Sequence, residues 1–211
     1  TQEVQPAIWD AGAALTGGTT AVTIFCPAGS PRSTYTPPEG KVTSDNRRIY
    51  TMKGGVLVPF TTSTITDADL GTSGTYPTLT DVISFVRGKK DQYGNVLGDI
   101  FHSTPILIER PYEFDSLDGV LGFKGYRQWM DTATIYGRKK IIVAGANDGM
   151  LHAFNAGNVT ATSIDTQTGR PFPLYDYGNG SELWAYIPSD LLGKLKYMLK
   201  PPTTTAEVQA A

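Results

Sequence analysis

Apolar positions in this chain recur in short runs broken by glycine, proline and threonine, and few runs are long enough for a helix. Ile141 to Ala146 is one such run and Met150 to Asn155 another, with Asn147-Asp148-Gly149 between them. Asp-Gly between two apolar runs is a strong hairpin signal, because glycine takes positive φ without penalty, so a hairpin is predicted over 141–155. Arg48 to Met52 and Val56 to Phe60 flank Gly54-Gly55 and predict a second hairpin. Phe101 to Glu109 reads as a strand whose Ile106-Leu107-Ile108 run is apolar enough to be central in a sheet. Glu182 to Pro188 reads as another.

Helical spacing is rarer. Leu79, Val82, Ile83 and Val86 predict a helix over 80–87, capped by Thr80 and ended by Gly88. Between 115 and 134, Phe123, Tyr126 and Met130 fit one helix face, while Gly122 and Gly125 weaken it. Ser189 is expected to cap a short helix with Leu191, Leu192, Leu195, Met198 and Leu199 in one stripe, stopped at Pro201-Pro202. Residues 1–60 read as loop with scattered strands, 61–77 as an exposed loop, Gly94-Asn95 as a turn and 156–181 as a long connection. No period of 20–50 residues repeats.

Composition agrees with short strands. The 211 residues are 40% hydrophobic and 10% aromatic, with 23 glycines and 14 prolines, enough for a packed core punctuated by turns. A net charge of −2 gives no electrostatic reason to expect nucleic acid as a partner. No run of eighteen apolar residues is present, so no membrane-spanning helix is predicted. Cys26 is the single cysteine and reads as a small buried hydrophobe. The first residue is Thr1 rather than Met, so a processed product or an excised piece is expected.

Candidate chemistry is sparse. Asp91, Asn95 and Asp99 alternate oxygen side chains around Gly94, loosely like a calcium loop, but no glutamate completes the coordination. His102 and His152 are the two histidines; without metal-ligand spacing or a third ligand they read as structural, each at the edge of an apolar strand. Asn147, Asp148 and Gly149 read as turn residues. Trp184 and Tyr186 stand two apart on one strand face, placed for core packing or for a contact surface. Neither a Gly-x-Ser-x-Gly elbow nor a phosphate-binding Gly-x-x-x-x-Gly-Lys loop is present. Asn158 and Asn179 each begin a glycosylation acceptor triplet, a pattern short enough to arise by chance.

Three segments in order resemble the carboxy-terminal propeller of type IV pilus tip-associated proteins of the PilY/PilC kind. Gly98-Asp99-Ile100-Phe101-His102-Ser103-Thr104-Pro105 resembles its opening strand. The stretch from Gly145 to Phe154, through Asn147, Asp148, Gly149 and His152, resembles its most recognisable hairpin. Glu182 to Pro188, with Trp184 and Tyr186, resembles the next element. Ile8 to Gly12, Arg48 to Thr51 and Phe85 to Gly88 are similar to the lead-in before that propeller. Residues 112–133 and 156–181 look like insertions.

The resemblance implies an all-β chain with minor α content: a loop-rich lead-in over 1–97, then the first one or two blades of a quinoprotein-like β-propeller over 98–211. It implies an extracellular, non-catalytic protein at the cell surface or pilus tip that supports pilus assembly, controls retraction and mediates adhesion. Implied partners are pilus minor subunits, a host or abiotic surface, and a complementary chain or the remaining blades. The family's calcium loop lies in blades beyond this sequence, so no cofactor is implied here. Rival readings are a fragment of a quinone-cofactor propeller dehydrogenase and a purely structural assembly subunit. Blades bury their faces against neighbours, so one or two blades are expected to need the rest of the propeller to cover them.

Overall fold

The computed structural model of the chain describes residues 46–74, 76–88, 97–111, 124–167 and 169–199, together with the backbone of 22–24 and 33–35. Strands β1 (Val22–Ile24) and β2 (Ser33–Tyr35) form an antiparallel pair of their own. Strands β3 (Ile49–Lys53) and β4 (Val56–Pro59) form the expected hairpin, with Gly54 at φ 57° and Gly55 at φ 80°. Two successive positive φ values match the twist of the flanking strands, which is why glycine stands at both positions.

Four later strands extend this hairpin into a sheet: β5 (Ile106–Ile108), β6 (Lys140–Gly145), β7 (Leu151–Gly157) and, after an inserted ribbon, β10 (Glu182–Ile187). The order is β4-β3-β10-β7-β6-β5, antiparallel throughout except for the parallel β3–β10 pair. Strands from the expected lead-in thus share a sheet with the strands that follow it. The inserted ribbon is β8 (Val159–Ile164) against β9 (Pro171–Tyr175). The chain is mostly β with a few short helices; its main sheet is mixed, and the described residues close no barrel or propeller.

One face of the sheet is covered. Helices α1 (Asp67–Leu70) and α2 (Leu79–Val86) and a 3₁₀ segment (Ser189–Met198) pack on it. Ile49, Ala185 and Ile187 of the sheet meet Leu70, Val82 and Leu195 of the covering layer in one cluster. Two further helices, α3 (Lys124–Met130) and α4 (Ala133–Tyr136), fill the β5–β6 connection, and Met130 is buried.

Several expectations are corrected. The 61–77 stretch is no mere exposed loop: it buries Ile65 and Leu70 and forms α1. Helix α2 starts one residue early and is capped by Thr78, whose hydroxyl accepts from the Asp81 amide while the Asp81 carboxylate accepts from Thr78. The 106–108 strand is an edge, not a centre, with Ile106 62% and Leu107 52% exposed. The 156–181 connection is largely the β8–β9 ribbon. The predicted helix after Ser189 is 3₁₀, a three-per-turn spiral that places Leu192, Leu195 and Met198 along one side.

Candidate functional site

The chemistry of the molecule is concentrated where the β6–β7 turn meets the start of β10. Asp148 sits in that turn, His152 two residues into β7 and Glu182 at the first position of β10. His152 lies opposite Ala144 of β6 and Ala185 of β10 in register, so its neighbours across both strands are small and uncharged. The ring is fully buried and lies parallel to Phe154, centroids 5.8 Å apart.

Both ring nitrogens face carboxylates. Nδ1 is 2.8 Å from Glu182 Oε1, and Nε2 is 3.0 Å from Asp148 Oδ2 and 3.1 Å from Oδ1. Glu182 also receives the Arg47 guanidinium as a fork, Nε at 2.7 Å and Nη2 at 2.8 Å, and Arg47 donates Nη1 to the Val86 carbonyl at 3.1 Å. Arg47, Glu182 and His152 are buried, so the chain of charges is a desolvated one. Burial would raise the Glu182 pKa, yet hydrogen bonds from Arg47 and His152 hold it down at about 2. For His152 burial opposes the charged form, but the bonds to Asp148 and Glu182 more than offset it and raise the pKa.

The turn also holds the segment before β5. The Asp148 carboxylate accepts from the Gly98 amide at 3.0 Å and from the Met150 amide at 3.1 Å. Asn147 donates its amide to the Asp99 carbonyl at 3.0 Å, and Gly145 donates to Ser103 Oγ at 3.0 Å. A Cβ on Gly98 would stand 2.5 Å from the Asp148 amide nitrogen, so only glycine allows the approach. Gly149 has φ 78°, the left-handed value that the turn reading requires.

The structure therefore brings together Gly98, Asp99, Gly145, Asn147, Asp148, Gly149 and His152 from the sequence-predicted set. His152 stands near the start of β7 and faces inward. His102 is not on a strand at all: it is exposed, at φ 64°, its ring edge-on to Phe101 at 4.1 Å. Of the calcium-loop candidates, Asp91 and Asn95 lie outside the described residues and Asp99 is exposed, engaged through its carbonyl. Among the described residues no three acidic, histidine or cysteine side chains cluster as metal ligands. Cys26 and Gly94 also lie outside the described residues. Sequence reasoning missed Arg47 and Glu182, which meet across 135 residues of chain. The available signal was a charged residue at an inward position of an otherwise apolar strand.

On the opposite sheet face, Trp184 and Tyr186 do share one side, as predicted. With Tyr50, Leu57, Leu151 and Arg48 they line an open, mostly apolar groove of about 510 Å³. No helix residue lines the groove, and no helix among the described residues is long and apolar enough to cross a membrane.

No family model matches the chain, and no solved structure does. In an alignment of 144 positions that covers 62% of the chain, it is 26% identical to a type IV pilus biogenesis factor PilY1 homolog of Xylella fastidiosa, of which it spans 10%. The likeness of this chain is thus to about one tenth of a pilus biogenesis factor.

Proposed function

We propose that this chain is part of an extracellular type IV pilus-associated protein, and that it contributes a non-catalytic structural unit to a β-propeller used in pilus assembly, retraction control and surface adhesion. The observation that carries this reading is the β5-β6-β7-β10 set of four antiparallel neighbours, whose β7 and β10 members, with β3 and β4 beside them, line an open aromatic groove. Propeller blades are four-stranded sheets that stack face to face around an axis, and such a face is what the next blade covers. The similarity to a pilus biogenesis factor about ten times longer than the matched region supports the same reading.

The non-catalytic part of the proposal rests on the state of His152. Both of its nitrogens are already committed to buried carboxylates, and it lies on the covered face, away from the groove. A base so engaged has no free site from which to take a substrate proton.

The test uses the complete polypeptide in its own bacterium. Replacing both Trp184 and Tyr186 by Asp is expected to reduce surface pili and attachment together, with the protein still made. Normal piliation and attachment would refute the pilus reading. Quinone-dependent dye reduction by the purified complete protein would instead favour the dehydrogenase alternative, and loss of attachment with piliation intact would restrict the role to adhesion.

A further inference from the structure

We propose that His152 is a proton-operated latch: protonated on both nitrogens, it clamps the β6–β7 turn so that Asp148 holds the Gly98 end of the 97–103 segment, and loss of one proton lets that end go. The geometry demands the double protonation. A neutral imidazole has one N–H and one lone pair, whereas here both nitrogens sit at hydrogen-bond distance from carboxylate oxygens. In the neutral ring one lone pair must therefore face a negative oxygen.

The two carboxylates are unequal in how they can respond. Glu182 is fixed by the Arg47 fork and its side chain is 1% exposed, so it has no water to turn toward. Asp148 is 11% exposed, belongs to a turn, and its remaining partners are two backbone amides. The remaining ring proton accordingly stays on Nδ1 toward Glu182, and Asp148 rotates toward solvent. Ala144, Ala185 and Phe154 add no charge around the ring, and Arg47 acts on it through Glu182.

What Asp148 releases is specific. Its Oδ2 is shared by His152 Nε2 and the Gly98 amide, so moving it breaks the first tether of the segment. Ile100, 68%-exposed Phe101 and His102, the last in the left-handed region, lie between the second and third tethers, at Asp99 and Ser103. Those two tethers do not use the Asp148 carboxylate, so the release is confined to the Gly98 end of the segment. The raised pKa fixes the direction. Clamping is complete below the ordinary histidine value near 6.5 and is lost as pH rises through the higher value of the folded protein.

The test is a pH titration of the 211-residue chain by NMR, reading the ring nitrogens of His152 and hydrogen exchange at Gly98 after correction for intrinsic base catalysis. Expected is loss of Gly98 protection over the His152 titration, with Phe154 and Ala185 amides protected throughout and the neutral ring carrying its proton on Nδ1. His152→Gln should leave Gly98 unprotected at every pH. Asp148→Asn, which keeps an acceptor for Gly98 without the charge, should abolish the pH dependence. His102→Asn should leave the dependence unchanged. Protection of Gly98 that does not follow His152, a neutral ring protonated on Nε2, or a dependence abolished by His102→Asn would each overturn the latch.

Discussion

Glu182 neutralises Arg47 and half of His152 at a buried site. Removing one member of a buried pair leaves the other charged and unsolvated, so Glu182→Ala is expected to cost about 3–5 kcal/mol, read from the shift in a denaturant melt. A change near zero would mean that water enters the site. Acid has a related effect. The folded pKa of Glu182 is about 2 against an ordinary 4.5, so its contribution is full above pH 4.5 and fades as the pH falls toward 2. Stability measured between pH 5 and 2 should therefore decline more steeply for the native chain than for a folded Glu182→Gln variant. From sequence, the placing of His152 on a strand was legible, because an apolar run surrounds it. Its partners were not, since the ion pair joins residues far apart in the chain and no local pattern announces it.

Local signals rendered some elements well and others poorly. The β6–β7 hairpin was readable because its turn chemistry lies within three residues, and Gly149 has the φ that chemistry implies. Gly149→Val should cost about 1–3 kcal/mol, because a β-branched residue resists the left-handed region. The space itself is tolerable, with the nearest atom, Leu195 Cδ2, 3.4 Å from an added Cβ. An unchanged melting temperature would show that the turn relaxes without strain. The β8–β9 ribbon was illegible because Pro171 and Pro173 argue against a strand. In a two-stranded ribbon both strands are edges, where a missing donor is tolerated. The Ile106–Ile108 run misled in the opposite direction: apolar character predicts burial, yet its position is set by which strands pair beside it.

At the scale of the whole molecule, the six-stranded sheet was legible only as separate strands. Their order depends on β3 pairing with β10, Ile49 beside Ala185, a contact between distant parts of the chain that no local pattern encodes. The uncovered face gives a direct check of the propeller proposal. Hydroxyl-radical footprinting should label Tyr50, Trp184 and Tyr186 in the isolated chain and spare them in the complete polypeptide, where an obligate-type interface of roughly 2,000 Å² or more is expected. Equal labelling in both would exclude a neighbouring blade on that face. The parallel β3–β10 pair has a mechanical consequence as well. Tension drawing the chain before β3 away from the chain after β10 acts in opposite directions along two strands running the same way. It therefore loads their hydrogen bonds in shear, all together, rather than unzipping them singly. A pull along the polypeptide meets that pair as a brake.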